Sequence, residues 1–280
     1  MKRANLKGMW AFLKKGLLAI IVLIDAYPIF WLITCSFKQN AEFVAKPSFS
    51  LPDAIYLGNY LKAWNQGHMG RYFRNSLIYT LSALAFIVLL SMCVGFALTK
   101  MRWKLRRFFQ SFFLLGLMVP VSTALLPLFQ MYSKAGILNT QFCLVLTYIA
   151  FGLSLSIFLV QGYMRSIPNE VLEASIIDGC GIFSMVGQVI VPLSKNAVVT
   201  VLVLQFFYKW NDLLFSMTFI SDSRLKTIQT GLLYFQNEFG TKDWGSIFAS
   251  ISISVFPMLL IYLILNKTVI EGMTEGAVKG

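Results

Sequence analysis

Along the chain, long apolar runs alternate with short polar segments, and few stretches show the period-two alternation of half-buried strands. A membrane-spanning helix needs about 20 mostly apolar residues. Six stretches meet that length: 17–37, 76–98, 108–130, 141–163, 196–220 and 246–266. Their continuity argues against the short alternating segments of a membrane β-barrel. The pattern predicts an all-α membrane protein with six transmembrane helices over 17–266, flanked by tails at 1–16 and 267–280.

Several runs carry punctuation. "MVPVS" (118–122) and Pro127 interrupt the third, which predicts a kink or local unwinding there. Ser246, Ser250 and Ser254 recur at i+4 in the sixth, a small-residue stripe suited to close helix packing, and Pro257 should bend the helix beyond it. The loop 38–75 is rich in Pro, Gly and Asn, so short helices and turns are expected.

The segment 164–195 is too polar for lipid, yet it is patterned as a helix. Ser166 and Pro168 mark a helix start, and Glu170 and Glu173 lie near the positive end of its dipole. Gly179 should end it in a left-handed conformation. A second amphipathic piece, with Ile182, Met185, Val186 and Val189 on one side, runs to Pro192. Two short helices joined at a glycine make a projecting knob. An interfacial connector is the alternative, but acidic residues would not favour anionic headgroups, so a protein groove is the better partner.

The fifth run is interrupted by Gln205, Tyr208, Lys209, Trp210, Asn211 and Asp212. Gln205, Lys209 and Asp212 are spaced i, i+4, i+7, which puts them on one helix face. Ionisable groups within a span usually face a bundle interior or a wet cavity, so this stripe, with Asp25 on the first span, is the candidate solute path. A structural pairing of Lys209 with Asp212 or Asp25 is the alternative.

Composition agrees with the pattern. Apolar residues make up 57% of the chain, charged residues 13%, and the mean hydropathy is +0.70, whereas soluble domains carry about 25% charged residues. The net charge of +12 does not point to nucleic acid, because its distribution follows topology. Segments 1–16, 99–107, 164–195 and 267–280 hold 14 Lys or Arg, against nine in 38–75, 131–140 and 221–245. The positive-inside rule then places both termini, 99–107 and 164–195 in the cytoplasm. "LITC" (32–35) resembles a lipoprotein cleavage box, but the long apolar run and Thr34 favour a retained first span. Cys35, Cys93, Cys143 and Cys180 have no metal-like spacing, and His68 has no cluster of ligands around it. No phosphate-binding loop, zincin motif or nucleophile elbow is present, so neither catalysis nor a cofactor bound by this chain is expected.

"EVLEASIIDGCGIFSMVGQVIVPL" (170–193) resembles the EAA motif, roughly E-A-A-x-x-D-G-A and then I-x-x-P-L, of permease subunits of binding-protein-dependent ABC importers. Ser175 and Cys180 stand where Ala is usual. "SFK" (36–38), "NY" (59–60), "NSL" (75–77), "WNDLLF" (210–215) and "EGMTEGAVKG" (271–280) are similar to the carbohydrate-uptake branch, in particular to its smaller permease, such as the second membrane subunit of the maltose transporter.

The resemblance implies a type I importer permease working with a second homologous permease, two ATPase subunits that bind ATP and Mg²⁺, and an extracellular solute-binding protein. It makes 164–195 the coupling loop, with Glu170, Glu173, Ala174, Ser175, Asp178, Gly179 and Pro192 meeting an ATPase. It also implies that the tail, with Glu271, Gly272, Ala277 and Lys279, reaches the same interface, and that Tyr208 and Trp210 stack on sugar faces. The alternatives are a non-sugar or acidic solute, such as a glycerol phosphate or a uronate oligosaccharide, or an ion-coupled secondary transporter using Lys209, Asp212 and Asp25.

Overall fold

The computed structural model describes the backbone of residues 2–238 and 243–277, and the side chains of residue 10 and of 13–233 and 243–265. In chain order the helices are α1 (Lys2–Ser36), α2 (Glu42–Ala45), α3 (Gly58–Asn65), α4 (Met69–Thr99), α5 (Arg106–Gly116), α6 (Val121–Lys134) and α7 (Gln141–Arg165). They continue with α8 (Asn169–Ile177), α9 (Ile182–Ser184), a π-helical turn (Met185–Ile190), α10 (Val191–Leu193), α11 (Lys195–Trp210), α12 (Leu214–Phe219), a 3₁₀ turn (Ser223–Leu225), α13 (Ile228–Glu238) and α14 (Trp244–Ala277). The described residues include no strand.

Leu13–Ser36, Met69–Thr99, Gln141–Arg165 and Trp244–Leu265 are each long and apolar enough to cross a bilayer. The remaining two expected spans are broken. α5 and α6 meet at 102°, and the Ile182–Leu193 segment meets α11 at 81°.

The first break falls where the punctuation at 118–122 predicted one; the extent of the fifth run is corrected. In the third span the chain turns between Gly116 and Val121, where Pro120 takes an extended conformation (φ −66°, ψ 135°), while Pro127 stays inside α6. Pro120 has no N–H to continue the α5 ladder, whereas the first turn of α6 needs none from it. In the fifth, α11 stops at Trp210 and not near 220. Its 16 residues extend about 24 Å at 1.5 Å each, short of a hydrocarbon core of about 30 Å. The loop expected over 38–75 contains the beginning of α4 at Met69, and α14 runs beyond 266 as far as Ala277.

The chain forms two compact units, Met1–Met69 with Leu232–Val255, and Gly70–Gly231 with Phe256–Gly280. In the first, apolar residues of α1 such as Leu18, Leu23 and Ile24 face outward, as lipid-facing side chains do. The connection after α1 is held by Asn59, whose amide donates to the carbonyls of Ser36 and Lys38, both at 2.8 Å. Lys38, itself buried, donates to the Ser48 carbonyl and to Ser50 Oγ. The serine stripe of α14 is buried as its spacing suggested, at Ser246, Ser250 and Ser254. Gly245 has to be glycine for this packing, since a Cβ would lie 2.5 Å from Asn59 Nδ2 and 2.7 Å from the Lys38 carbonyl.

In the second unit, α4, α7 and α11 build a core around Ile87, Phe96, Leu144, Val160 and Val201. At Gly152 α7 comes close to α4: a Cβ there would stand 2.5 Å from Ile87 Cδ1.

Asn59→Ala should leave two carbonyls of the first unit buried without donors, at a cost of about 1–3 kcal/mol. Thermal unfolding of the detergent-purified protein should show a lowered midpoint. An unchanged midpoint would mean that water replaces the amide.

Candidate functional site

The knob forms as its glycine required and begins differently from expectation. Ser166 does not cap α8. Its hydroxyl donates back to the Tyr163 carbonyl at 2.8 Å and so closes α7. The residue at the start of α8 is Pro168 (φ −60°, ψ 144°), which lacks a capping side chain. The end of α8 is a Schellman turn: Gly179 has φ +79°, its N–H donates to the Ile176 carbonyl, and the Cys180 N–H donates to the Ser175 carbonyl at 2.9 Å. Nothing within 4 Å would touch a Cβ on Gly179, so its requirement is backbone conformation alone.

Of the seven coupling residues, Glu170, Glu173, Ala174, Asp178, Gly179 and Pro192 are exposed. Ser175 is not. It is buried beside Leu172 on the inner face of α8, with its hydroxyl bonded to the Val171 carbonyl at 2.7 Å. The two lie at i and i+3, the spacing of one helix face. Sequence reading passed over Ile176, Ile177 and Phe183, which are exposed, Ile177 at 85% and Phe183 at 88%. Below them Met185, Val186 and Ile190 are buried, while Ile182, expected on the same face, points outward. The wide π turn precedes Pro192, which has no N–H for the carbonyl four residues back and whose ring crowds it.

Lys100, read in the sequence only as part of a basic cluster, reaches the beginning of α8. Its ammonium donates to the Ile167 carbonyl at 2.6 Å and to Asn169 Oδ1 at 3.2 Å. Burial pushes its pKa below the ordinary lysine value, and the Glu170 carboxylate opposes that shift.

The three residues of the fifth-region stripe all meet α7: Gln205 at Gly152 and Ser156, and Lys209 and Asp212 at Tyr148. Gln205 is buried and ties α11 to α7, donating to the Gly152 carbonyl and Ser156 Oγ, both at 3.1 Å. Trp210, only 1% exposed, stacks on Phe206 at 5.4 Å and meets Phe73 edge-on, so it is a core residue of this chain and no free platform for a sugar. Lys209 is buried with its ammonium 5.7 Å from the Tyr148 ring centroid.

Asp212 lies beyond the end of α11. It accepts from the amides of Phe215 (3.2 Å) and Ser216 (3.0 Å), and from the Tyr148 hydroxyl at 2.8 Å. It therefore serves as the start signal of α12. Tyr208 and Asn211 remain exposed, and Asn211 Oδ1 accepts from Gln229 at 3.2 Å. Asp25 is exposed on α1 in the first unit. Lys279 lies outside the described residues, as do the side chains of Glu271 and Ala277; their backbone and that of Gly272 continue α14.

The segment after α12 is held by side chains from distant parts of the chain. Asn139, at φ +58°, accepts from the amides of Ser221 and Asp222. Asn75 donates to the carbonyls of Arg224 and Lys226, Tyr79 to that of Leu225, and Ser76 accepts from Ile228 N–H. Arg224 in turn holds the Asp222 carboxyl below its usual range. "NSL" is thus a clamp on residues 224–228.

A bent multi-span helical chain with an external helix–glycine–helix knob is the architecture of a transporter permease subunit. The family described as "Binding-protein-dependent transport system inner membrane component" matches residues 87–274, and this chain belongs to it. It is 34% identical over 273 residues to the probable ABC transporter permease protein YurM of Bacillus subtilis (strain 168), covering 98% of this chain and 88% of that one. Identity is 32% to the diacetylchitobiose uptake system permease protein NgcG of Streptomyces coelicolor, over 95% and 88% of the two chains. It is 30% to the trehalose/maltose transport system permease protein MalG of Thermococcus litoralis, over 100% of both. Among solved structures, a chain of a bacterial ABC transporter involved in the import of the acidic polysaccharide alginate shares the fold, with a TM-score of 0.83 at 20% identity over 92% of this chain and 96% of that one.

Because Asp212 caps α12, Asp212→Asn should keep assembly, since Asn caps comparably, whereas Asp212→Leu should lose about 0.5–2 kcal/mol for the cap and leave the Tyr148 hydroxyl without its acceptor. Thermal stability of the two purified variants checks this. Equal stability would return Asp212 to the list of residues free to serve solute.

Proposed function

We propose that this chain is the permease subunit of an ATP-driven importer of a sugar or oligosaccharide, and that α8 with the turn at Gly179 is its coupling helix. The solutes named for the relatives NgcG and MalG, diacetylchitobiose and trehalose or maltose, support the sugar assignment over a glycerol phosphate. The chain would share the translocation path with a second permease, receive solute from an extracellular binding protein, and leave ATP hydrolysis to two partner ATPases. The observation that carries the coupling role is the exposed outer face of the knob. Ile177, at i+4 from Glu173 and i+3 from Ala174, stands in the open, and so does Phe183 beyond the Schellman turn that fixes the backbone. Large apolar side chains rimmed by polar ones mark a protein interaction site.

Glu173→Lys, Ala174→Trp and Gly179→Val should each leave the subunit inserted and paired, because none of the three side chains is part of the buried packing. Bound ATPase, or solute-stimulated hydrolysis, should fall with uptake. Gly179→Val adds about 1 kcal/mol or more of left-handed strain. Normal coupled transport in all three variants would reduce α8 to a connector.

Charge asymmetry supports cytoplasmic termini and a cytoplasmic knob. In a cysteine-free background, an impermeant thiol reagent applied to intact cells should label Asn65→Cys and spare Lys104→Cys. The opposite pattern would invert the topology.

A further inference from the structure

The end of α4 and the beginning of α8 are 67 residues apart in sequence, and one side chain joins them. Lys100 directly follows the last residue of α4, and its root is stiff. Its own amide donates to the Phe96 carbonyl at 2.8 Å, and the Trp103 indole closes the same turn onto the Ala97 carbonyl at 3.0 Å. At the other end, the ammonium holds two groups in successive positions around Pro168: the carbonyl of Ile167 and the side chain of Asn169. The Ile167 carbonyl lies between α7 and α8, where neither helix ladder takes it up. Ile167 and Leu172 are buried against the same core as Phe96 and Met164, so the junction is packed as well as bonded.

Arg102, Lys104, Arg106 and Arg107 carry the same charge nearby, and no bond between any of them and α8 accompanies the Lys100 contacts. The cluster as a whole can serve topology. The bond from Lys100 has a separate geometry.

We propose that Lys100 is a positioning residue that fastens the coupling helix to α4, so that displacement of α8 by a partner is delivered directly to a membrane-spanning helix as well as along the chain into α7 and α11. This rests on the coupling role of α8 given above. A charge-assisted bond at 2.6 Å resists both stretch and slide, and α4 is 31 residues long, so a push at its end moves the whole rod. Without the tie, α8 would turn about Pro168 and Gly179, and part of the partner's motion would be spent in the loop.

The test uses the complete importer, with sister permease, ATPases and solute-loaded binding protein, reconstituted in vesicles. Lys100→Met keeps the stem and removes the donor. It should leave the ATPase subunits bound and basal hydrolysis present, while solute taken up per ATP falls about tenfold or more, as loss of a charged hydrogen bond allows. Lys100→Arg, which can still donate to a carbonyl, should recover most of that ratio. Arg102→Met and Lys104→Met remove the same charge without the tie and should stay within about twofold of the parent.

An unchanged ratio in Lys100→Met overturns the proposal, and so does an equal fall in the Arg102 and Lys104 variants. Should Lys100→Met fail to assemble, Asn169→Leu removes one acceptor only; a normal ratio there overturns the proposal, and a reduced ratio with ATPase bound supports it. Glu173→Lys in the same preparation separates the two readings. If it loses docking while Lys100→Met transports normally, only the tie falls; if it too transports normally, the coupling role itself falls.

Discussion

Inside a bilayer every backbone N–H and C=O must find its partner within the protein, and most of this structure follows from that requirement. Four helices meet it by running unbroken through apolar sequence. Where the ladder stops, polar side chains take its place. Asp212 supplies the acceptors for the first turn of α12, and Asn139, Asn75, Ser76 and Tyr79 pair the backbone that follows it. Asp212, one of the polar residues expected along a path, also allows the chain to be irregular there. Gln205 belongs to the same economy, joining α11 to α7 through a backbone carbonyl exposed by Gly152.

This explains which parts of the molecule were legible in the sequence. Rules that act within a few residues worked: the left-handed Gly179, the inward serine stripe of α14, the break near Pro120. Helical periodicity carried slightly past the helix: Gln205, Lys209 and Asp212 all reach α7, although Asp212 follows the end of α11 and also holds the first turn of α12. Periodicity also cannot say what a face meets, so Trp210 could be imagined against a sugar when Phe206 and Phe73 already enclose it. At Ser166 two short-range rules competed, and closing α7 won over capping α8.

Contacts between distant segments carried no sequence signal. Asn75 and Arg224 are 149 residues apart, and Lys100 and Ile167 are 67 apart; nothing in either neighbourhood announces the other. Of these positions only Asn75, in "NSL", lies in a family motif, which gives no reason for it. The structure supplies a reason for "NSL", a clamp, and for Ser175, which is small because it faces α8's own supporting core and not a partner.

The outer face of the knob sets a limit on how coupling can work. Ile177 and Phe183 are its most exposed apolar side chains. Full burial of two such residues is worth about 3–6 kcal/mol together, below the roughly 8 kcal/mol of micromolar affinity and before any loss of rigid-body freedom. In the proposed coupling role, the apolar burial of this knob would not by itself hold an ATPase subunit. Either further surface contributes, or the contact depends on a two-fold assembly in which both permeases dock at once and the second contact forms at high effective concentration. A modest grip has an advantage for a reciprocating machine, because the groove can shift around the knob without a deep energy well to leave. What must not be modest is the stiffness behind the knob, since motion absorbed there never reaches the membrane. The Schellman turn, the buried Leu172 and Ser175, and the short bond from Lys100 place that stiffness on the inner side of α8, opposite the face that is free to engage.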